Sequence, residues 1–364
     1  MSSIVISGYY GFANAGDEAM LAAMIEAFTD LEPDVMITVI SGNPEDTRRR
    51  HGVAAVYRLN YPKIMAAIAS SDLVISGGGS LLQDVTSDRS LYYYLSIVFL
   101  AKQLGKPVML YAQGIGPVQK PLARAVMRRI GNQVDLITVR DEGSREELVE
   151  LGINKPPVYV TADPVLAMHP VDKQIGRTIL RRYGVTGVRP VVGISIREWK
   201  EWPHYKTVLA QIADYVASAY EARVVFLPMQ WPDDFQTAEK VVKQMKEPAV
   251  LLKEEFTTTE MLSLVGNMDL LIGIRLHALI FAAVMQVPLI GISYDPKIDR
   301  FLASLSAHHG GSLMTVTAEA LQKKIDDLWP QIEQDAFVQS KKISELRDLA
   351  FSNVEKAFSL IQRK

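Results

Sequence analysis

Residues 268–297 read MDLLIGIRLHALIFAAVMQVPLIGISYDPK, and this stretch decides the fold. The short apolar run Asp269–Ile274 predicts a buried strand, and Leu276–Met285, apolar on all sides, predicts a helix buried within a domain. A second apolar run, Val287–Ser293, predicts another strand. A strand, a helix and a strand in this order form one βαβ unit, so the stretch predicts a parallel sheet.

The titratable side chains of this unit lie where its strands end. Arg275 and His277 follow the first strand, and Lys297 follows the second. Ligands of open α/β sheets bind at the carboxyl ends of the strands, and the free N–H groups at a helix start favour anions. The pattern therefore predicts an anion site made of two cations and a histidine. The alternative is that Arg275 pairs with a neighbouring carboxylate and that His277 is a structural histidine.

Length and composition set the class of protein. The chain has 364 residues, enough for two domains, and its 48% hydrophobic and 22% charged residues are ordinary for a globular protein. Its 39 basic and 41 acidic residues give a net charge of −2, so no broad nucleic-acid-binding surface is expected. It has no cysteine, which excludes disulfides and thiolate metal sites.

The ends and apolar runs of the sequence suggest a soluble protein of the cytoplasm. The first residues, MSSIVISGYY, lack the basic segment and long apolar core of a signal peptide. No apolar run approaches the ~20 residues that a membrane span needs. We expect a cytoplasmic location, and peripheral contact with a membrane stays open.

Apolar runs separated by turn residues predict two successive α/β halves. The first-half strands are predicted at Ile4–Ser7, Val35–Ile40, Leu73–Ile75, Val108–Tyr111, Leu136–Val139 and Val158–Thr161. The second-half strands are predicted at Val191–Ile196, Val224–Leu227, Val250–Leu252, Asp269–Ile274 and Val287–Ser293. Residues 168–190 are predicted to form a linker and a first helix of the second half, and residues 340–363 a long amphipathic helix.

Polar or glycine clusters follow most first-half strands. Because the carboxyl ends of parallel strands meet at one edge, these clusters predict a large binding crevice. Its candidate residues are Asn14, Gly16, Asp17, Glu18, Gly77, Gly78, Gly79, Ser80, Asp84, Gln113, Arg140 and Asp163. Turn and capping chemistry is the alternative for residues 14–18, and packing is the alternative for the three consecutive glycines. Arg197 and Ser293 occupy equivalent strand ends in the second half.

Seven segments together resemble the polysaccharide pyruvyl transferase family, and most closely its members that pyruvylate secondary cell wall polymers. They are FANAGDEAML, SGGGSLLQD, AQGIGP, VRDEGS, TADP, RLHALIFA and PLIGISYDPK. The resemblance implies two Rossmann-like α/β domains facing a central cleft, as in GT-B glycosyltransferases. We expect residues 1–167 to form the N-terminal, acceptor-side domain and residues 168–339 the C-terminal, donor-side domain. Residues 340–364 are expected to form a helix that packs back toward the N-terminal domain.

The resemblance also implies an activity. Phosphoenolpyruvate would be the co-substrate and a 4,6-linked ketal on a hexose such as N-acetylmannosamine the product. The acceptor would be a lipid-linked cell wall polysaccharide precursor, of the kind used in S-layer anchoring, at the inner face of the membrane. Arg275, His277 and Lys297, with Arg197 and Ser293, would bind the donor, and His277 would be either the acid or a phosphate ligand. No cofactor, metal or nucleic-acid partner is expected.

Two rival interpretations stay open at this point. A GT-B glycosyltransferase or a sugar-nucleotide epimerase would use the same fold with a nucleotide in the second half. A non-catalytic regulator that binds a sugar or nucleotide would show binding without turnover, but it gives no reason for a histidine beside two cations.

Overall fold

The chain folds into two compact α/β units. The computed structural model describes residues 1–84 and 88–362. The first unit comprises Met1–Phe12, Asp17–Met168 and the chain from Leu346 onward, and the second comprises Ala13–Gly16 and His169–Glu345. Each unit contains one sheet in which every strand pairing is parallel, which confirms the predicted α/β class with two parallel-sheet domains.

The sheet of the first unit has seven strands in the order β3-β2-β1-β4-β5-β6-β7. Their bounds are β1 Ser3–Ser7, β2 Met36–Ser41, β3 Ala54–Tyr57, β4 Leu73–Ser76, β5 Val108–Gln113, β6 Leu136–Val139 and β7 Val158–Val160. The order reverses between β1 and β4, which are neighbours in space. The side chains of β4 and β5 are buried along their whole length, as expected for central strands with both faces covered.

Helices cover this sheet and join its strands. They are α1 Ala15–Leu31, α2 Pro44–His51, α3 Tyr61–Ser70, α4 Asp88–Gln103, α5 Pro121–Gly131 and α6 Glu142–Glu150. A 3₁₀ turn, Pro164–Ala167, follows β7. Side-chain caps stabilise the first turn of several of these helices. Asn43 caps α2, Asn60 caps α3 and Asp141 caps α6, and each side chain accepts a hydrogen bond from a backbone N–H group.

The sheet of the second unit has six strands in the order β10-β9-β8-β11-β12-β13. They are β8 Val191–Ser195, β9 Arg223–Phe226, β10 Ala249–Leu251, β11 Leu270–Gly273, β12 Leu289–Ser293 and β13 His308–Ser312. Here the order reverses between β8 and β11. Ligands of such sheets bind beside this reversal, at the carboxyl ends of the strands.

The helices of the second unit begin after residue 172. They are α7 Lys173–Arg182, α8 His204–Ala219, α9 Asp233–Val242, α10 Thr258–Val265, α11 Leu276–Val284, α12 Pro296–Leu305 and α13 Ala318–Leu328, with a 3₁₀ turn at Trp329–Gln331. The last helix, α14 Ile332–Ile361, begins in the second unit and belongs to the first unit from Leu346 onward. Every residue of α11 except His277 is buried, in agreement with its all-round apolar sequence.

Eleven predicted strands are present, each within about two residues of its predicted bounds, and two strands were missed. The edge strand β3 is short and partly exposed, and β13, with the sequence HHGGS, lacks the apolar residues that mark a strand. Helix α14 begins at Ile332 rather than at residue 340. The last two positions of the region predicted for that helix, 363 and 364, lie outside the described residues. Within residues 1–84 and 88–362, no helix combines the length and the apolar character needed to cross a bilayer.

The end of α14 packs into the core of the first unit. Val354, Ala357 and Leu360 belong to the same buried cluster as Ile4 and Ile6 of β1. The fully buried Asn353 accepts a hydrogen bond from Thr161 Oγ1 at 2.8 Å and donates to the Ala162 carbonyl at 3.3 Å. A buried amide without its partners is costly, so these bonds fix the position of the helix.

We predict that Asn353→Ala lowers the free energy of unfolding by about 1–3 kcal/mol, because Thr161 and the Ala162 carbonyl lose a buried partner. Urea denaturation is the measurement. The control is Ser352→Ala, a neighbouring residue whose hydroxyl donates to the Leu349 carbonyl of its own helix at an exposed position. Equal effects of the two substitutions would contradict the docking role of Asn353.

Candidate active site

The predicted donor residues lie at one edge of the second unit's sheet. Arg197 follows β8, Arg275 and His277 follow β11, and Ser293 and Lys297 lie at the end of β12 and the start of α12. These three strands are adjacent, and β8 and β11 flank the reversal in strand order. Segments that are about 80–100 residues apart in sequence thus meet where parallel sheets bind ligands.

Arg275 is held by a carboxylate that the sequence analysis did not identify. Its Nε donates to Asp234 Oδ2 at 2.9 Å, and its Nη2 bonds to Asp234 Oδ1 and, at 3.0 Å, to Gln230 Oε1. The Asp234 side chain is completely buried and that of Arg275 is 14% exposed. Asp234 also accepts the backbone N–H groups of Met229 and Gln230 at 3.1 and 2.9 Å. The pair therefore fixes the loop that follows β9.

That loop in turn holds residues 13–16. Ala15 N–H donates to the Met229 carbonyl at 2.9 Å, and Asn14 and Gln230 form an antiparallel bridge. Asn14 and Gly16, which we predicted among the first-half loops, consequently belong to the second unit. Asn14 Oδ1 accepts the Gly16 N–H at 3.0 Å.

Gly16 lies directly against the imidazole of His277. A Cβ atom at position 16 would be 2.1 Å from His277 Nδ1, which no real side chain tolerates. The missing side chain of Gly16 therefore makes room for the ring, and the backbone of residue 16 forms one wall of the histidine's surroundings. Sequence alone could not reveal this contact, because the two residues are 261 positions apart.

Two cations lie over the ring of Tyr294, a residue that was not among the predicted site residues. Arg197 Nη1 donates to the Tyr294 hydroxyl, and its guanidinium carbon lies 4.5 Å from the centre of the Tyr294 ring. The Lys297 ammonium lies 5.5 Å from the same ring centre, and the Trp199 ring packs at 4.6 Å. The aromatic face of Tyr294 attracts both cations, and the Lys297 ammonium also lies 3.4 Å from Asp295 Oδ2.

Four of the motif segments of the first unit meet around Arg140. Its Nη1 donates to Asp163 Oδ2 and its Nη2 to Ser80 Oγ, both at 3.1 Å, and both charged side chains are more than nine-tenths buried. A Cβ at Gly114 would lie 2.5 Å from the guanidinium, so that glycine makes room for it. The arrangement satisfies the charges internally and joins the ends of β4, β5, β6 and β7.

The three consecutive glycines after β4 accommodate three different neighbours. A side chain at Gly77 would meet the Tyr10 hydroxyl at 2.2 Å, and one at Gly78 would meet Met20 Sδ at 3.2 Å. Gly79 has a φ of +103°, a conformation that favours glycine. Neighbours within the first unit thus occupy the space beside Gly77 and Gly78, and the backbone conformation favours glycine at position 79, while the ligand-binding role of this loop stays a prediction.

The remaining first-half candidates hold the loops at this edge. Gln113 Nε2 donates to the carbonyls of Ser76 and Gly77. Asp84 accepts the N–H groups of Gln119 and Lys120; burial opposes its ionisation, but these bonds keep the pKa of Asp84 below its ordinary value.

Glu18 lies in the first turns of α1 and holds the loop after β1. It accepts the Gly11 N–H at 2.8 Å and pairs with His51 at 2.8 Å, a partner that sequence did not suggest. Asp17 precedes it in α1, in the helical turn where an acidic residue was expected.

A profile of the polysaccharide pyruvyl transferase family matches residues 14–296, which is more than half of the chain. The chain belongs to the polysaccharide pyruvyl transferase family. One relative, the amylovoran biosynthesis protein AmsJ of Erwinia amylovora, is 22% identical over 392 residues, covering 91% of this chain and 94% of AmsJ. The family named from the sequence motifs is thus confirmed, and the closer likeness to members acting on secondary cell wall polymers stays a prediction.

Solved structures of similar fold include proteins bound to UDP or UDP-glucose. HepE of Anabaena, in complex with UDP-glucose, has a TM-score of 0.69 at 10% identity, with 100% of each chain covered. MnaA of S. aureus, with UDP, has a TM-score of 0.65 at 12% identity, covering 94% of this chain and 91% of MnaA. At this identity the likeness shows the fold alone, and it confirms the predicted GT-B-like class.

We predict that Gly16→Ala lowers the free energy of unfolding by about 1–3 kcal/mol, because its Cβ would overlap the His277 ring. In a His277→Ala background the ring is absent, and the same change should cost less than about 0.5 kcal/mol. Chemical denaturation of the four proteins measures both values. An equal cost in the two backgrounds would show that His277 is not the neighbour that requires glycine.

We also predict that Asp234→Ala destabilises the second unit by about 3–5 kcal/mol, because Arg275 keeps its charge in a largely buried place without a partner. Asp233→Ala is the matched control, since Asp233 is the exposed neighbour in α9 and should change stability by less than about 0.5 kcal/mol. Thermal and urea unfolding measure both. A neutral Asp234→Ala would refute the organising role of the pair.

Proposed function

We propose that this protein transfers the pyruvyl group of phosphoenolpyruvate to a hexose of a lipid-linked polysaccharide precursor and releases phosphate. Membership in the family supports pyruvyl transfer to a polysaccharide. Phosphoenolpyruvate is proposed as the donor because Arg197, His277 and Lys297 lie together at the carboxyl ends of the adjacent strands β8, β11 and β12. The proposed product is a 4,6-ketal on N-acetylmannosamine, and a lipid-linked acceptor would place the reaction at the inner face of the cell membrane.

The charges of this edge suit the proposed donor. Phosphoenolpyruvate carries a carboxylate and a phosphate, and Arg197 and Lys297 supply two positive charges around Tyr294. The N-termini of α11 and α12 start at the same edge, and their N–H groups add favourable partial charge. Arg275 donates hydrogen bonds from Nε and Nη2 to Asp234 and Gln230. Among the residues that the structure describes, its Nη1 has no such partner, so this nitrogen can bind an anion.

The proposed reaction balances in atoms and charge without an oxidant or reductant. A proton adds to the methylene carbon of the donor, and the neighbouring carbon gains cationic character. One sugar hydroxyl attacks that carbon, the bond to the phosphate oxygen breaks, and the second hydroxyl closes the ring. The two sugar hydroxyls release two protons in total. One replaces the proton that was added to the methylene carbon, and the other leaves with phosphate.

In this proposal His277 provides the proton that starts the reaction. Histidine changes its charge near neutral pH, and the contact with Gly16 fixes the ring at the strand-to-helix corner. On the acceptor side, Asp84, Gln113, Arg140 and Asp163 are engaged in hydrogen bonds within the first unit. We assign those four residues to shaping the edge rather than to proton transfer.

The decisive assay incubates the protein with phosphoenolpyruvate and an aryl-linked or lipid-linked disaccharide. Release of inorganic phosphate together with the mass of one added pyruvyl group on the sugar would support the proposal. A parallel incubation with a UDP-hexose tests the glycosyltransferase and epimerase alternatives. Turnover of the UDP-hexose without any reaction of phosphoenolpyruvate would overturn the proposal.

We predict that His277→Gln lowers kcat by roughly 10²–10⁴-fold and leaves binding of phosphoenolpyruvate nearly unchanged, because glutamine cannot deliver a proton. Steady-state kinetics and calorimetric titration measure the two effects separately. His309→Gln is the control, since His309 is a partly exposed histidine of the same unit bonded to Asp299. A large rise in KM with little change in kcat would instead make His277 a phosphate ligand.

A further inference from the structure

The first unit exposes a cluster of large apolar side chains where the edge strand β3 meets α3. Tyr57, Leu59, Tyr61 and Met65 lie within nine residues and expose 47, 56, 40 and 43% of their surface. Pro62, Ala66 and Ala69 extend the exposed apolar surface along α3, whose buried side is formed by Ile64 and Ile68. We call this the β3–α3 surface. Contiguous exposed apolar patches of this kind mark contact sites.

The charge around the β3–α3 surface is positive, although the whole chain is slightly negative. Residues 45–72 contain five basic residues, Arg48, Arg49, Arg50, Arg58 and Lys63, and three acidic ones, Glu45, Asp46 and Asp72. Asp46 pairs with Arg49 and Arg50. Arg48 and Lys63 are exposed and form no ion pair within residues 1–84 and 88–362. The surface therefore combines apolar side chains with two exposed cations and a small excess of positive charge.

This combination disfavours a second copy of the chain as the occupant. An exposed edge strand could pair with the edge of another sheet. Here, however, Arg48 Nη1 donates to the Ala55 carbonyl at 2.9 Å and occupies one of the acceptors that such pairing would use. Two identical positive surfaces would also repel each other.

We propose that the β3–α3 surface binds an anionic lipid bilayer. Tyrosine side chains favour the level of the lipid headgroups, and leucine and methionine favour the apolar layer beneath them. Lys63 and Arg48 would be attracted by the negative surface potential of anionic lipids. The surface lies at the carboxyl end of β3, the same edge of the sheet that carries the loops of the first unit. The inference does not depend on the donor or on the reaction.

The test is co-sedimentation of the full-length protein with vesicles of phosphatidylcholine alone or mixed with phosphatidylglycerol. We expect binding to the mixed vesicles, weaker binding as salt rises, and little binding to phosphatidylcholine alone. Leu59→Ser with Met65→Ser should lower the affinity roughly tenfold, and Lys63→Glu roughly fivefold or more. The control is Leu122→Ser with Val149→Ser, which removes two equally apolar side chains that are 67 and 68% exposed in the same unit. Thermal unfolding confirms that each variant is folded.

Three results would overturn the inference. The first is wild-type protein that stays in the supernatant with the mixed vesicles, and the second is β3–α3 variants that sediment as well as the control. The third is a dimer, seen by light scattering without lipid and lost in the same variants, which would make a second copy the occupant. Because vesicle binding is measured without phosphoenolpyruvate, its failure is distinguishable from a failure of pyruvyl transfer.

Discussion

The buried ion pair between Asp234 and Arg275 organises the candidate site. Asp234 binds Arg275 and the N–H groups of Met229 and Gln230, and so fixes the loop after β9. The backbone of that loop pairs with residues 13–15, and this pairing places Gly16 against His277. A single desolvated carboxylate thus positions the segment that packs against the proposed proton donor, and it must stay paired because an isolated buried charge is strongly destabilising.

The two units use buried ion pairs in the same structural position. Arg140 with Asp163 joins the strand ends of the first unit, as Arg275 with Asp234 joins those of the second. In both units a glycine makes room for a neighbouring polar side chain at the sheet edge. Gly114 makes room for Arg140, and Gly16 makes room for His277. These arrangements give rigid edges, and rigid edges hold reacting groups in a defined geometry.

The sequence predicted the strands and the edges but not the contacts between them. Long apolar runs such as Leu289–Ser293 mark central strands reliably, whereas HHGGS in β13 carries no periodic signal. Strand ends located Arg197, Arg275, His277 and Lys297, since parallel topology brings such ends together. The partner of Arg275 is 41 residues away, and no local pattern could select Asp234 over Asp233. The side chains that pack beside the three glycines, Tyr10 and Met20, are revealed only by the three-dimensional packing.

The central claim is that the carboxyl edge of β8, β11 and β12 binds phosphoenolpyruvate. A crystal structure of the protein with phosphoenolpyruvate at saturating concentration tests it most directly. We predict phosphate or carboxylate oxygens within about 3 Å of Arg197 and Lys297, and the methylene carbon of the donor facing His277. Phosphoenolpyruvate bound instead at the first unit's edge beside Arg140, with the second unit's edge empty, would contradict the claim.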